Sequence, residues 1–506
     1  MKVKLALIAF LLRVVASCFM VIPALAVAQA TPQCGGCSAG QPAQKPHLMA
    51  PPSDEPGQQL FGAHLQRTMT LLATSNSERR WPVRILMYGQ SIIGNGSFTQ
   101  LMSDYLHQQF PYADIQLDNL AIGGFEGPRL VRTAVHDLYP YYPDLLIFHV
   151  YQGQQSGEVE RIISNVRRYT TADILLIDDH KTKDVEISDS SADFWRQLAQ
   201  KYNCELVDLS VTWSQYLREH GLQPVQLLRE GPHPNVDGYT LMTYLIGRHL
   251  RYNPIFPNNW EDTVRTYEAR RPLEEAEDEI RLSGNGWSSG NQGILGTAPT
   301  GDLHLDFDGN RVDLIAAHEE LTQKMGSARI LLDGKPPSAN PDVYAITRPT
   351  TGPKTWFPAV MRVSHVKPLI LEDWTLRITR MNKDATDFAF EVIGSQTGPD
   401  GSGTNTETFV SNSGRVKIEA RDWMLAQIMS IFKQSAPPPV GFEVHWSVVP
   451  MFKDVYQAPD TPDKAKVYQT TLFQLISNAH HSIDIIPNGD GPVPIQALQV
   501  YRPPLR

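Results

Sequence analysis

The pattern of hydrophobic and polar positions changes once along the chain, near residue 255. Before that point, near-continuous apolar runs of strand length alternate with stretches in which apolar residues recur every three or four positions. Such apolar runs are typical of strands buried on both faces, and the second pattern is typical of amphipathic helices. The strand-length runs are residues 83–88, 115–122, 144–151, 173–179 and 204–209, and the helical stretches include residues 98–110, 158–169, 193–202 and 213–221.

This alternation predicts the fold class of the first half of the chain. Strands joined through helices pair in parallel, because each helix returns the chain to the same end of the sheet. A parallel sheet whose strands are apolar throughout needs helices on both faces. We therefore predict a three-layer α/β domain over residues 58–255.

The second half of the chain has a different pattern. A charged, helix-prone connector over residues 256–280 is followed, in residues 281–506, by short alternating strands separated by Gly, Pro and Asn turns. Such spacing is typical of an all-β sandwich, here of jelly-roll type. Residues 394–408, rich in Gly, Ser and Thr, predict a turn or a flexible excursion. We consider carbohydrate binding as a role for this domain, although its tryptophans are more typical of a core.

The first 30 residues have the layout of a signal peptide. A basic start, a long apolar run and the small residues ALAVAQA predict cleavage after Ala28 or Ala30, followed by a linker over residues 31–57. We therefore expect an exported protein, periplasmic or secreted. A lipoprotein box ending at Cys18 and an uncleaved anchor are the alternatives. No later segment approaches the roughly 20 apolar residues of a membrane span.

Charge and cysteine content exclude several classes of partner. The net charge is −9 and the sequence pI about 5.9, and no basic stripe interleaved with aromatics is present, so nucleic acid is not an expected partner. Four cysteines are too few for a disulfide scaffold. For Cys34 and Cys37, in the linker, a local disulfide or two incidental thiols is favoured over a redox or metal pair, and we expect no metal site.

Gly89-Gln90-Ser91 follows the first predicted strand directly. A serine at the carboxyl end of such a strand projects into the crevice where open α/β sheets bind ligands. Its hydroxyl becomes nucleophilic only when a base accepts its proton. His233 is the candidate base, because it lies in a Gly/Pro loop before a helix with Glu230 three residues upstream. The alternatives are that Ser91 caps the next helix and that His233 is a surface residue.

Three stretches over residues 80–252 resemble the blocks of the SGNH/GDSL hydrolase superfamily. The GQS at residues 89–91 is similar to its Gly-Asp-Ser nucleophile block, and to the variant found in some sialate and carbohydrate O-acetylesterases. DNLAIGGFEG resembles the second block, with the match on Gly124, and EGPHPNVDGY resembles the Asp-x-x-His-Pro block. The resemblance implies a flavodoxin-like parallel sheet.

The resemblance also implies roles for these residues. Ser91 would attack an ester carbonyl, His233 would move the proton, and the Glu230 carboxylate would orient the imidazole. The oxyanion hole would include the backbone N–H groups of Ser91 and Gly124. No metal or organic cofactor is required.

The third block departs from the family pattern. The family has Gly-x-Asn-Asp, whose Asn amide completes the oxyanion hole, whereas this chain reads FHVYQGQQSG at residues 148–157. Gln152 is our candidate for the missing amide and Gln154 is the alternative, while His149 would donate a hydrogen bond only if it faces the pocket.

Further polar residues near the same sheet edge are candidates for substrate binding. Their alternative role is that of solvated loop residues with structural functions. The candidates are Gln90, Asn95, Glu126, Arg129, His149, Gln154 and His180.

These features predict a serine esterase that removes acetyl or similar acyl groups from a carbohydrate or polysaccharide. The first alternative is a glycosidase or a lipid esterase on the same scaffold, because Glu230, Asp178 and Asp179 keep paired-acid chemistry open. The second is a glycan-binding protein without catalytic activity. The segments around Ser91 are polar and glycine-rich, which favours a substrate covered with hydroxyl groups.

Overall fold

The structure is a computed structural model. It describes residues 53–54, 57–151, 156–182, 189–256, 262–269, 280–319, 324–350, 358–434 and 436–505. The predicted signal peptide and the Cys34/Cys37 pair lie outside these residues, so both remain expectations. Within the described part of the chain, no helix is long and apolar enough to cross a membrane.

The first half of the chain folds around a five-stranded parallel sheet. Its strand order is β2-β1-β3-β4-β5, which is the flavodoxin-like order. The strands are β1 (Pro82–Gly89), β2 (Asp114–Asn119), β3 (Leu145–His149), β4 (Asp173–Ile177) and β5 (Glu205–Val207), and a short hairpin of β6 (Leu228–Glu230) and β7 (His233–Pro234) follows. The helices are α1 (Gln66–Thr74), α2 (Gly96–Gln109), α3 (Gly127–Asp137), α4 (Glu158–Tyr169), α5 (Asp189–Tyr202), α6 (Leu209–Glu219) and α7 (Val236–Gly247). The predicted α/β fold is confirmed.

Helices cover both faces of this sheet, as its apolar strands require. Successive side chains of a strand point to opposite faces, so Ile85 and Met87 of β1 enter one core while Leu86 and Tyr88 enter the other. Helices α1, α2, α6 and α7 contribute to the first core, and α3, α4 and α5 contribute to the second. The three layers therefore follow from strands that are apolar on both sides.

In the described residues of the second half of the chain, β-strands are the main secondary structure. Its strands are β8 (Val264–Glu268), β9 (Arg281–Ser283), β10 (Trp287–Ser289), β11 (Ile294–Gly296), β12 (Asp302–Ile315), β13 (Ser327–Leu332), β14 (Tyr344–Ile346), β15 (Asp373–Met381), β16 (Phe388–Gly394), β17 (Gly398–Thr404), β18 (Phe409–Val410), β19 (Lys417–Ile418), β20 (Glu443–Pro450), β21 (Val455–Gln457), β22 (Gln469–Pro487), β23 (Val493–Ile495) and β24 (Ala497–Tyr501), and one helix, α8 (Leu425–Ile431), interrupts them. Strand β8 lies within the stretch that the sequence assigned to the connector.

Two of its sheets enclose a common core. The larger sheet has the order β21-β13-β22-β12-β24-β8, with β9 paired to β12, and the smaller has the order β10-β11-β23. Residues of both sheets, such as Leu305 and Ile495, belong to one buried cluster. This arrangement is consistent with the predicted β-sandwich.

A third sheet, with the order β14-β20-β15-β16-β17, lies between β13 and β21 in the chain. Its buried residues form one cluster with those of α3, α4 and α5. Trp374 and Trp446 stack in this core, with ring centroids 6.4 Å apart. The turn or flexible excursion predicted for residues 394–408 holds for residues 395–397 and 405–406, which form turns, but it missed β17, which lies between them as the last strand of the sheet. Its glycine-rich sequence conceals an edge strand.

Helix α3 carries the polar contacts between the parallel-sheet region and the third sheet. The His136 Nδ1–H donates to the Ile346 carbonyl at 2.8 Å, and His136 Nε2 accepts from the Val363 N–H at 3.1 Å. Next to it, the Arg348 Nη2 lies 2.6 Å from Asp137 Oδ2. Burial raises the pKa of Asp137 even though Arg348 opposes this effect. The carboxylate is therefore tolerated there only with its partner.

Replacing Arg348 with Met tests this buried ion pair. Removing one partner leaves an uncompensated buried charge, so we expect the free energy of unfolding to fall by about 3–5 kcal/mol. The matched control is Arg380→Met, which breaks an exposed pair with Asp387 and should cause little measurable change. Urea unfolding of the two variants makes the comparison. Equal stability of R348M and R380M would contradict the expectation.

Candidate active site

A close approach of two strands places Ser91. At Gly89, the last residue of β1, φ is +149°, and a Cβ atom there would lie 1.9 Å from the carbonyl oxygen of His149 on β3. Only glycine allows the two strand ends to approach this closely. The Gln90 N–H then donates to the same carbonyl at 3.2 Å. Ser91 therefore stands at the carboxyl end of β1, next to the end of β3, the central strand of the sheet.

The β6–β7 hairpin brings His233 to this serine. The distance between Ser91 Oγ and His233 Nε2 is 2.8 Å, and both residues are half-buried. The other ring nitrogen, Nδ1, lies 3.3 Å from the Glu230 backbone carbonyl. A carbonyl can only accept, so Nδ1 carries the proton and Nε2 can accept the serine proton. The geometry is that of a nucleophile and its base.

The Glu230 carboxylate does not contact the imidazole, contrary to the role assigned from the resemblance. Glu230 and His233 face each other across the hairpin, so the main-chain carbonyl of Glu230 meets the ring. The Glu230 side chain is 69% exposed, and its carboxylate lies 2.9 Å from Arg229 Nη2. The structure thus gives the orienting contact to the backbone of Glu230.

His149 is fully buried at the end of β3. Its Nδ1 lies 3.0 Å from the Ile177 carbonyl and therefore carries the ring proton. Burial lowers the pKa of His149 to about 4, so the ring is neutral and Nε2 is an acceptor. Nε2 has no hydrogen-bond partner among the described residues. A neutral ring with this tautomer cannot donate to an oxyanion, and its burial also argues against the predicted substrate contact.

His180 is also fully buried, beneath the loop that carries His233. Its Nε2–H donates to the Pro232 carbonyl at 2.8 Å, and its ring lies between Tyr151 and Trp213, with centroid distances of 5.7 and 4.8 Å. Burial lowers the pKa of His180 to about 3, with smaller contributions from His149 and His233. His180 therefore supports the loop that carries His233. It does not line an open pocket, although the sequence made it a candidate for substrate binding. Nothing in its sequence context signals this contact.

Asp178, two residues before His180, is buried and accepts a hydrogen bond from the Ser210 N–H at 3.1 Å. Burial, followed by the nearby Asp208, raises the pKa of Asp178 well above its usual value. This carboxyl group is thus engaged with the start of α6. A carboxyl group with a raised pKa is less readily ionised, so Asp178 does not suit the paired-carboxylate chemistry of the glycosidase alternative.

The loop after β2 lies beside the same edge. The Ile122 N–H donates to the Gly89 carbonyl at 2.9 Å, which ties the loop to the residue before Gln90. Gly124 is exposed with φ of +72°. Its carbonyl accepts from Arg129 Nη1 at 3.1 Å. The structure therefore places the second sequence block near Ser91, with the Gly124 N–H as an oxyanion donor still to be tested.

The remaining predicted residues differ in their surroundings. Asn95 caps α2, because its side-chain oxygen accepts from the Ser97 and Phe98 N–H groups at 2.9 and 3.3 Å. Glu126 is exposed at the start of α3 and makes no side-chain cap. Gln90 is nearly buried and bonds to Tyr151. Gln152 and Gln154 lie outside the described residues.

No cluster suited to a metal is found in the described part of the chain. There, no group of three or more His, Cys, Asp or Glu side chains is arranged to hold a metal ion.

Comparisons with known proteins give low similarity. No family model matches the chain, and no curated protein matches it in sequence. Among solved structures, a two-domain esterase active on acetylated mannans is 12% identical, with 88% of this chain and 98% of that chain covered and a TM-score of 0.33. The acetylxylan esterase Axe2 from Geobacillus stearothermophilus is 14% identical, with 35% and 97% covered and a TM-score of 0.30.

A third structure, a GDSL-like lipase from Parabacteroides merdae ATCC 43184, is 17% identical, with 35% of this chain and 100% of that chain covered and a TM-score of 0.30. Because every TM-score is low, the fold assignment rests on the strand order and the placement of the sequence blocks. The strand order gives the α/β region a flavodoxin-like fold. A β-rich region follows it, and this confirms the fold class expected from the sequence.

The buried neutral histidines predict acid sensitivity of the fold. Burial lowers the pKa of His136 and His149 to about 4 and that of His180 to about 3. Between those values and about 6.5, the unfolded chain binds protons that the folded chain does not, so stability falls as the pH decreases through this window. Each histidine contributes at most about 1.4 kcal/mol per pH unit.

Thermal unfolding between pH 7 and pH 4.5 measures this effect. We expect the melting temperature to fall with pH, and His149→Asn to make the decline shallower. The control His107→Asn, at an exposed position on α2, should leave the decline unchanged. A melting temperature that is independent of pH over this range would contradict the neutral buried state of these rings.

Proposed function

We propose that the protein is an SGNH/GDSL-type serine esterase that removes acetyl or similar small acyl groups from a carbohydrate. The observation that carries this proposal is the 2.8 Å pair of Ser91 Oγ and His233 Nε2 at the carboxyl edge of a parallel sheet. A serine and an imidazole in this arrangement supply the nucleophile and the general base of acyl transfer.

The reaction proceeds through two acyl transfers. Ser91 Oγ attacks the ester carbonyl carbon while His233 Nε2 takes the hydroxyl proton. As the tetrahedral intermediate collapses, His233 returns that proton to the departing sugar oxygen, which leaves the acyl group on Ser91. Water then attacks this ester with His233 again as base, and the carboxylic acid leaves as Ser91 regains its proton. The backbone N–H groups of Ser91 and Gly124 would stabilise the developing oxyanion.

In this mechanism, a backbone carbonyl orients the imidazole of His233. The Glu230 carbonyl fixes the Nδ1–H and supplies a partial negative charge to the imidazolium that forms. Its loop is held in turn by the bond from His180 to Pro232. The exposed Glu230 carboxylate is not required for the proton transfers.

A carbohydrate is favoured by the walls around the serine. No residue of 89–98 or 120–130 is among the large hydrophobic side chains that are exposed in the described structure, whereas a lipid esterase needs a sizeable apolar surface at its site. The exposed residues that follow Ser91 in the chain include Gly94, Gly96 and Ser97, and those that follow β2 include Gly124 and Glu126. Such walls suit a substrate that presents hydroxyl groups. The predicted export of the chain agrees with a polysaccharide substrate.

Acyl release and active-site labelling test the proposed function. We expect faster release of acetate from acetylated oligosaccharides than of fatty acid from long-chain esters, and covalent labelling of the protein by a fluorophosphonate. Ser91→Ala should abolish both, because it removes the attacking oxygen. The control Ser77→Ala, at an exposed serine that precedes β1, should retain both.

Two results would contradict the proposal. Equal or greater activity on long-chain esters would refute the carbohydrate substrate. A folded protein that binds glycans, hydrolyses no ester and takes up no fluorophosphonate would favour the non-catalytic alternative.

Substitution of Glu230 tests whether main chain alone orients His233. Since only the Glu230 carbonyl contacts the ring, Glu230→Gln should keep kcat within about threefold of wild type. Loss of an orienting carboxylate in a serine triad costs about 10⁴-fold in kcat by comparison. The measurement is kcat for acetyl-ester hydrolysis by E230Q, with Arg229→Gln as the control for loss of the exposed ion pair. A decrease of a hundredfold or more in E230Q alone would restore the carboxylate to the mechanism.

A further inference from the structure

The third sequence block provides no asparagine amide as a hydrogen-bond donor for the proposed oxyanion hole. Residues 148–157 contain no Asn. His149, at the end of β3, holds its ring proton on Nδ1 toward Ile177 and presents only an acceptor at Nε2. A side-chain donor at this position must therefore come from another residue.

The side chain of Gln90, which lies between the end of β1 and Ser91, extends to the segment that follows β3. Its Oε1 accepts a hydrogen bond from the Tyr151 backbone N–H at 3.0 Å. A backbone N–H can only donate, so the oxygen of the amide must face Tyr151 and the NH₂ group must occupy the other arm. The side chain of Gln90 thus joins the residue before Ser91 to the third block.

The NH₂ group of Gln90 makes no hydrogen bond within the part of the chain that the structure describes. Only 7% of the residue is exposed, but its Nε2 is not among the buried unpartnered atoms, so the NH₂ group is open to solvent. Two main-chain bonds also hold the residue, because the Gln90 N–H donates to His149 and the Gln90 carbonyl accepts from the Gly94 N–H at 2.8 Å. The amide is therefore fixed in place before any substrate arrives.

We propose that the side-chain NH₂ of Gln90 is the third oxyanion donor and takes the place of the missing asparagine amide. This inference rests on the proposed esterase function. A fixed amide donor beside the nucleophile meets the requirement of preorganised stabilisation, because it does not have to reorient as charge develops on the substrate oxygen. The negatively charged oxygen of the tetrahedral intermediate supplies the acceptor that the amide lacks. Gln90 is then a catalytic residue, and Gln152 is not needed for this role.

Two substitutions at Gln90 distinguish the role of its NH₂ group as a donor from the structural contact of its oxygen with the Tyr151 N–H. Gln90→Glu keeps an oxygen that can accept from the Tyr151 N–H but removes the NH₂ group. Gln90→Met, of similar length, removes the NH₂ group without adding a charge. We expect each to lower kcat for acetyl-ester hydrolysis by about 10²–10³, the usual loss for one oxyanion donor, with KM within about threefold of wild type.

Inhibition by a small alkyl boronic acid distinguishes loss of the donor from a general disturbance of the site. The boronate forms a tetrahedral adduct with the serine, so its affinity should fall in parallel with kcat/KM in both variants. The competing candidate is tested by Gln152→Met, which should keep kcat and boronate affinity within about threefold. Thermal unfolding verifies that all variants are folded.

The outcomes are distinct. An active wild type with a Q90M variant that retains kcat within threefold, or that loses activity through KM with boronate affinity unchanged, would overturn the assignment of Gln90. Loss of activity in Q152M but not in Q90M would overturn it in favour of Gln152. A wild type that hydrolyses no ester and is not labelled at Ser91 would instead overturn the proposed function, and this inference would fail with it.

Discussion

The close approach of β1 and β3 at Gly89 is the constraint on which the candidate site depends. A side chain at this position would collide with the His149 carbonyl, at 1.9 Å from its Cβ. The absence of a side chain lets the Gln90 N–H bond to that carbonyl and lets the Ile122 N–H bond to the Gly89 carbonyl. Three segments of the chain thus meet at one glycine, and Ser91 follows directly after it.

The polar groups around this point are held mainly by main chain. The Glu230 and Pro232 carbonyls face His233 and His180, and the Ile177 carbonyl faces His149. Each carbonyl fixes the tautomer of its histidine, since it can only accept a proton donor. Because burial keeps His149 and His180 neutral, neither ring adds a positive charge near the imidazolium that forms on His233. The rigidity of the site therefore comes from backbone geometry and from buried neutral rings.

Much of the fold could be predicted from the sequence, because its strongest signals are local. The strands β1, β3 and β4 are buried on both faces, and this leaves few alternatives to a sheet covered by helices. The proximity of Ser91 and His233 was predictable for a related reason, since both follow elements that end at the same edge of the sheet. Spacing along the chain was sufficient for these features.

Other features depend on contacts that spacing does not encode. Glu230 stands three residues before His233, yet the hairpin presents its carbonyl and not its carboxylate to the ring. The contact of His180 with Pro232 joins residues 52 positions apart. The β17 strand was missed because pairing with β16, and not its own glycine-rich sequence, makes it a strand. The core shared by α3 and the third sheet likewise arises only when distant segments pack together.

The central claim, that Ser91 carries the acyl group during turnover, is tested most directly by trapping the intermediate. Rapid acid quenching of the protein during hydrolysis of an acetylated oligosaccharide, followed by peptide mass spectrometry, identifies any acetylated residue. The account predicts one acetyl group on Ser91, formed and lost at rates consistent with turnover. Acetate release without acetylation of Ser91, or with the acetyl group on another residue, would contradict it.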